Sequence, residues 1–178
     1  TAGLGGGRPT PTPVIRLFSF LVPKQRVPIE IEVEGRRSAV SLPAGSAAAP
    51  TDLPPARSLP VAAPFAGATR SVPLIRLAHG RSGDKGNKAN IGIIARHPDY
   101  LPLLSAWLTP ERVGQYFAHN RPSAVERFDL PGFGAMNFLL HDVLGGGGMA
   151  SLRTDNLAKA FCQVLLTLPV DVPADWSV

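Results

Sequence analysis

The alanine- and proline-rich segment at 43–71 constrains the fold of this chain more than any other feature of the sequence. It carries few apolar side chains that are large enough to pack, so it cannot bury enough surface to fold by itself. We interpret it as a semi-extended linker. The linker divides the 178 residues into a strand-rich N-terminal piece, 1–42, and a C-terminal domain, 72–178.

The N-terminal piece carries strand patterns but no pattern for a complete domain. Residues 29–34 alternate apolar and acidic side chains, which is typical of a half-buried strand with its glutamates in water. A turn at 35–36 predicts a partner strand at 38–42, and 14–22 has the composition of a further strand. Two or three strands do not form a stable unit alone. We therefore expect the remnant of an upstream domain, which needs another domain or chain to lie against.

The C-terminal domain mixes strand and helix patterns, which predicts an α+β fold with helices on one face of a sheet. Thr109-Pro110-Glu111 has the residues of a helix start, namely a capping hydroxyl, a proline and an acid. The predicted strands are 74–78, 91–95 and 124–130, with a short strand at 151–153, and the predicted helices are 99–107, 110–119 and 156–168, with a short helix within 135–144.

The polar segment 79–90 is the most informative part of the sequence for function. Its glycines at positions 80, 83 and 86 free the backbone to turn its N–H groups inward. From 76 to 96 there are five basic residues and one acidic residue, and 5 − 1 gives a local charge of +4. Backbone donors and fixed cations suit a phosphate or a carboxylate. We therefore predict an anion-binding loop, although the spacing matches neither the Walker loop nor the dinucleotide motif.

Nine residues of this loop have a predicted role. His79, Asp84 and Asn90 are the candidates for proton transfer or orientation, and His79 beside Asp84 and Lys85 is the candidate proton-transfer group. A triad of Ser82, a histidine and Asp84 is a further alternative. The residues predicted to bind the ligand are Arg81, Ser82, Gly83, Lys85, Gly86 and Lys88. The competing interpretation is a solvated hairpin whose glycines only make turns.

Composition excludes several classes of protein. The single cysteine, Cys162, excludes an internal disulfide framework and a cysteine-rich zinc site, and we expect it to be buried. No H-x-x-x-H spacing is present, so no metal site is predicted. We expect no membrane segment and no nucleic-acid partner, because no apolar run is long enough and the positive charge is local. We predict a cytoplasmic protein. The first residue, Thr1, indicates a processed product or a fragment, and a terminal threonine nucleophile is a secondary hypothesis.

Several motifs resemble one known family. Arg-Ser-Gly-Asp-Lys-Gly at 81–86 and Ala-Asn-Ile-Gly at 89–92 resemble the C-terminal, ferredoxin-like domain of the acyclic terpene utilisation AtuA family. Glu-Arg-Phe at 126–128, Asn-Phe-Leu-Leu-His at 137–141 and the glycines at 145–148 before Ser-Leu-Arg extend the resemblance over 72 to about 170. Residues 1–42 resemble the end of the larger upstream domain of that family.

The resemblance implies a ferredoxin-like fold and a pathway. Proteins of this family are associated with bacterial breakdown of branched terpenoid acids such as citronellate and geranylate through coenzyme A thioesters. We therefore expect the segment 79–90 to hold an acyl-CoA or carboxylate ligand in an active site shared with the upstream AtuA-type domain or chain. The alternative is a non-catalytic assembly or regulatory module, and both alternatives predict a homo- or hetero-oligomer. No cofactor is predicted.

Overall fold

The chain divides into two compact units. The structure, a computed structural model, describes residues 11, 13, 15, 18–43, 45, 57–63 and 67–178. The N-terminal unit is Leu17–Ala56, and the C-terminal unit includes Arg57–Val178. No helix within the described ranges is long and apolar enough to cross a membrane. Thr1 lies outside the described residues.

The N-terminal unit contains the predicted hairpin. Strands β1 (Glu30–Val33) and β2 (Arg36–Ala39) pair antiparallel around Glu34 and Gly35, which both have positive φ, as a tight hairpin turn requires. Every side chain of the two strands is exposed. The strand predicted at 14–22 is not found at 15 or 18–22, because no described strand pairs with these residues. Positions 14, 16 and 17 lie outside the described residues.

The C-terminal unit is built on a four-stranded antiparallel sheet with the order β4-β5-β7-β6. Two hairpins, β4–β5 and β6–β7, lie side by side and join through β5 and β7. Helices α1 and α2 connect the hairpins, and β3 pairs with β8 in a separate two-stranded sheet. The strands are β3 (Thr69–Pro73), β4 (Ala78–Lys85), β5 (Lys88–Ala95), β6 (Val125–Leu130), β7 (Ala135–Leu140) and β8 (Pro169–Pro173), and the helices are α1 (Leu101–Trp107), α2 (Pro110–Tyr116) and α3 (Phe161–Leu165).

The core lies on one face of the sheet. Side chains alternate along each strand, so every second residue points under the helices. Each large apolar side chain buried there contributes about 1.5–3 kcal/mol. The core residues of the sheet include Ile91, Ile93, Met136, Phe138 and Leu140, which cluster with Leu104, Val113, Phe117 and Leu165 of the helical layer. This is the predicted α+β class with helices on one face. The opposite face, which we call the open face, carries no helix formed by the described residues.

Two predicted helices are wrong in extent or type. Residues 135–140 form β7, because the strand lies between two others and apolar residues on both of its sides obscure the strand period. The helix predicted at 156–168 is only α3, Phe161–Leu165. Asp155 accepts hydrogen bonds from the backbone N–H groups of Lys159 and Ala160, and Ala158 has a positive φ of 53°, so the preceding residues form turns.

Several smaller boundaries also differ from the prediction. The predicted linker is too long, because Leu59 is 3% exposed and its N–H donates to Asp129. The C-terminal unit therefore begins near Arg57 instead of at 72. The strand predicted at 74–78 is a 3-10 turn, Leu74–Arg76, between β3 and β4. Residues 151–153 form no strand, because no neighbouring strand pairs with them. The predicted start of α2 is confirmed, since Thr109 Oγ1 accepts from the N–H of Arg112.

Candidate functional site

The segment 79–90 is a β-hairpin and not a loop. Residues 78–85 and 88–95 pair as β4 and β5, and only Gly86 and Asn87 form the turn. The glycine-rich composition suggested a loop, but the pairing of eight residues on each strand overrides this weak local preference. Because side chains alternate along a strand, the predicted site residues lie on two different faces of the sheet. His79, Arg81, Gly83, Lys85, Lys88 and Asn90 belong to the open face, whereas Ser82 and Asp84 belong to the core face.

Three cations of the hairpin share the open face. Lys85 lies directly opposite Lys88, and Arg81 follows on the same side of β4. The Lys85 ammonium donates to the carbonyl of Asp84 at 2.9 Å, but no described residue forms an ion pair with Arg81 or Lys88. Like charges directly opposite each other destabilise a sheet. An anion above the hairpin would remove that cost.

Two asparagines form the floor beside these cations. Asn90 Nδ2 donates to Asn137 Oδ1 at 3.1 Å, which links β5 to β7 on the open face. Gly83 lies opposite Asn90 on β4, and Gly92 lies two residues along β5, so neither neighbour covers the two amides with a side chain of its own. Asn137 keeps its own amide N–H₂ group, for which no described acceptor is present. This part of the open face therefore offers an amide donor next to fixed positive charge.

Lys159 adds a fourth cation that sequence reasoning missed. A Cβ atom placed at Gly83 would lie 3.2 Å from Lys159 Nζ and 3.8 Å from Asn90 Oδ1. The side chain therefore reaches over the hairpin from the turns that precede α3. Lys159 lies 69 residues from Asn90 in the sequence. Only the packing of α3 on β4 brings the two together, so no sequence signal could have paired them.

The proposed proton-transfer group of His79, Asp84 and Lys85 is not assembled. His79 and Asp84 lie on opposite faces of β4 and five residues apart, which is about 17 Å along a strand. His79 Nε2 instead lies 3.3 Å from the Arg96 guanidinium, which only donates, so this imidazole nitrogen accepts. The Asp84 carboxylate has no hydrogen bond or ion pair with a described residue. The alternative triad fails for the same reason, since no histidine reaches the core face beside Ser82.

Ser82 holds the hairpin to α3. Its Oγ donates to the carbonyl of Ala158 at 2.6 Å and accepts from the N–H of Cys162 at 2.8 Å. The residue is 6% exposed. Both bonds satisfy backbone groups at the start of a helix that would otherwise lack partners. Cys162 beside it is buried as predicted, and burial raises the pKa of its thiol. Ser82 is therefore structural and is neither a nucleophile nor a ligand contact.

Replacing Ser82 by alanine tests this assignment. We expect the free energy of unfolding to fall by about 1–3 kcal/mol, because two buried backbone groups lose their partner. Anion binding at the open face should stay unchanged in the folded variant. Urea denaturation followed by tryptophan fluorescence measures the first quantity, and titration with a carboxylate measures the second. Unchanged stability together with weakened binding would contradict the structural role.

The hairpin turn is anchored by the glycine-rich segment 145–148. Gly86 has a positive φ of 64°, and the side chain of Asn87 donates to Asp142 and accepts from the N–H of Gly146. Gly147 lies against the turn so closely that a Cβ atom there would be 2.1 Å from the carbonyl oxygen of Gly86. Gly86 and the glycine segment therefore fix the hairpin tip.

A carboxylate–imidazole pair lies at the other side of the open face. His141 Nε2 is 2.5 Å from Glu126 Oε1. His141 directly follows β7, and Glu126 is the second residue of β6. His141 comes directly after Leu140, and Leu140 pairs with Ala89. Lys88, the residue before Ala89, is therefore the neighbour of His141 on β5. Sequence reasoning included both residues in the family resemblance but assigned them no role, because they are 15 residues apart and meet only through the β6–β7 hairpin.

The other end of the open face is apolar. A cavity of about 400 Å³ is lined by Arg81, Ile94, Leu130, Phe133 and neighbouring residues. Phe133 is 75% exposed, and Ile94, Phe128 and Leu130 are more than 40% exposed. Large apolar side chains that cluster on a surface mark a binding site for a ligand or a partner. The open face therefore has a cationic, amide-rich end and an apolar end, with Arg81 between them.

Comparison with known proteins agrees with this architecture. Residues 72–171 match the family model of the AtuA ferredoxin-like domain. The matched range contains the four-stranded sheet, all three helices and every residue of the open face described above. No curated protein and no solved structure matches the chain.

Proposed function

Because the chain belongs to the AtuA ferredoxin-like domain family, we propose that the open face binds the anionic group of an acyl ligand, either a carboxylate or the phosphates of an acyl-CoA. The observation that carries this proposal is the placement of Arg81, Lys85 and Lys88 on one face without an acidic partner among the described residues. In the family context the ligand belongs to acyclic terpenoid or branched acyl-CoA breakdown, and the upstream AtuA-type domain completes the active site.

The charges of the site favour an anion over a neutral ligand. Lys85 and Lys88 repel each other at the hairpin tip, and Lys159 adds positive charge above Gly83. Asn137 supplies an amide donor on the same open face. A planar guanidinium such as that of Arg81 binds a carboxylate through two parallel hydrogen bonds. Together these groups neutralise and orient an anionic head group.

The apolar end of the open face suits the hydrocarbon chain of an acyl ligand. The cavity beside Arg81 extends over Ile94 and Ala135 toward Phe133. A head group at Arg81 therefore places a short hydrocarbon chain over apolar side chains. Each methylene that leaves water contributes about 0.8 kcal/mol. Affinity should consequently rise with chain length until the apolar end is covered.

Charge removal at Arg81 provides the test. We expect Arg81→Ala to weaken octanoate binding by about tenfold or more, because a charge-assisted hydrogen bond contributes about 1.5–3 kcal/mol. Lys88→Ala should weaken coenzyme A binding by a similar factor. Isothermal titration calorimetry on the full chain measures both. The matched control is Lys24→Ala, an exposed cation of the N-terminal unit, which should bind as the unaltered chain does. Equal affinity in all four proteins would refute the proposal.

An assembly module is the second candidate function, and the exposed Phe133 favours it. A phenylalanine that is 75% exposed beside Phe128 and Leu130 suits a protein partner as well as an acyl chain. Replacing Phe133 by serine separates the two functions. A smaller assembly in sedimentation velocity with unchanged octanoate affinity supports the module. An unchanged assembly with weaker octanoate binding supports the ligand site.

A further inference from the structure

The pair of Glu126 and His141 has the geometry of a proton-transfer group. Glu126 Oε1 lies 2.5 Å from His141 Nε2, so the carboxylate orients the ring and fixes the proton on that nitrogen. The second ring nitrogen, Nδ1, has no hydrogen-bond partner among the described residues. Among the described residues, the buried side-chain polar atom without a hydrogen-bond partner is Trp107 Nε1 and not Nδ1 of His141. Nδ1 is therefore not buried and reaches solvent. A neutral His141 therefore presents a free lone pair to solvent.

We propose that His141 is a general base for a ligand held on the open face, with Glu126 as its positioning residue, and that the substrate class is a carboxylate with a C–H bond next to a carbonyl group. This inference rests on the proposed function, because the anion site must hold the substrate. The register supports the combination. Glu126 is paired with Leu139 and Leu139 with Asn90, so the positioning residue and Asn90 are on one line across the sheet, about two strand spacings, or roughly 10 Å, apart.

The groups around His141 suit this role. Lys88 is its neighbour on β5, and its charge favours an anionic substrate over a neutral one. Asp142 follows His141 but is occupied by Asn87 and by the hydroxyl of Ser123. Glu126 is consequently the carboxylate that contacts the imidazole. The base thus has one orienting partner and one neighbouring cation.

The proton transfer balances without a further reactant. The substrate C–H bond breaks, its proton moves to Nδ1 of His141, and its electron pair is delocalised onto the carbonyl oxygen as an enolate. Glu126 stabilises the imidazolium that results. An amide such as that of Asn137 or a cation such as Lys88 stabilises the developing oxyanion. A proton then returns from His141 to the same carbon, which re-forms the ketone and yields exchange with solvent.

Deuterium exchange into 4-oxopentanoate (levulinate) tests the inference. This probe has a carboxylate and exchangeable C–H bonds next to a ketone. We expect the full chain in D₂O to accelerate loss of those proton signals above the buffer rate, as followed by ¹H NMR. His141→Gln should lower the accelerated rate by about 100-fold, the lower end of general-base effects. Glu126→Gln should lower the limiting rate by about tenfold and leave the half-saturating levulinate concentration unchanged, as for carboxylates that orient other functional histidines.

Two controls keep the outcomes separate. His119→Gln, an exposed histidine outside the open face, should exchange levulinate as the unaltered chain does. Binding is followed independently through the side-chain amide signals of Asn90 and Asn137 in ¹H–¹⁵N spectra. Shifted amide signals without exchange above the buffer rate overturn the proton-transfer role and leave the anion site standing. Absence of any amide shift overturns the anion site itself. Because Glu126 is exposed, Glu126→Gln should fold even where a His141 variant does not, and undiminished exchange in it overturns the positioning role.

Discussion

Replacing Arg127 by alanine is expected to lower the free energy of unfolding by about 3–5 kcal/mol. Arg127 projects from β6 into the core face with a side chain that is 14% exposed. It donates to Asp129 at 2.7 Å, to the carbonyls of Ser105 and Leu108, and to the hydroxyl of Ser105. The two carbonyls lie at the C-terminal end of α1, where carbonyl groups lack partners within the helix. The substitution thus leaves the half-buried Asp129 carboxylate with the N–H of Leu59 but without its counter-ion, and it uncaps a helix.

Urea denaturation followed by tryptophan fluorescence measures this loss, because Trp107 and Trp176 both lie in the C-terminal unit. The matched control is Arg76→Ala, which removes an exposed arginine of the same unit. That variant should stay within about 0.5 kcal/mol of the unaltered chain. If the Arg127 variant loses no more unfolding free energy than the Arg76 variant, the hydrogen bonds of Arg127 contribute little to stability.

Replacing Gly147 by alanine is expected to cost about 3 kcal/mol or more. A Cβ atom at Gly147 would lie 2.1 Å from the carbonyl oxygen of Gly86 and 2.8 Å from the backbone nitrogen of Asn87. Both are backbone atoms of the hairpin turn, so neither can move aside as a side chain does. The φ of 78° adds strain of about 1 kcal/mol for any residue with a Cβ atom. The turn must therefore separate from the glycine segment.

Gly148→Ala is the matched control for this substitution. Gly148 also has a positive φ, 46°, but a Cβ atom there meets nothing within 4 Å. Its loss of stability should be limited to the backbone strain, about 1 kcal/mol. Gly147→Ala should also weaken octanoate binding, because displacement of the turn moves Lys85 and Lys88. Equal melting temperatures of the two alanine variants would show that the contact between the glycine segment and the turn is loose.

The candidate site was predictable in composition but not in arrangement. The density of cations and glycines selected 79–90 as the candidate segment, and alternation within a strand places Arg81, Lys85 and Lys88 on one face. The same alternation removed Ser82 and Asp84 from that face. Composition cannot show this, because the face of each residue depends on whether the segment is a loop or a strand. Asn137, Lys159 and the Glu126–His141 pair came only from contacts between distant strands and turns.

Local patterns in the sequence predicted the α+β class, the hairpin within 29–42 and the family to which 72–171 belongs. These features depend on local composition, short-range alternation and motifs, which are properties of neighbouring residues. The tertiary structure alone decided that the central strand β7 is not a helix, that α3 is short, and that the open face joins cations, amides and a carboxylate–imidazole pair. The reason is physical: strand pairing and the burial of one sheet face draw their free energy from partners that are distant in sequence, so no local pattern encodes them.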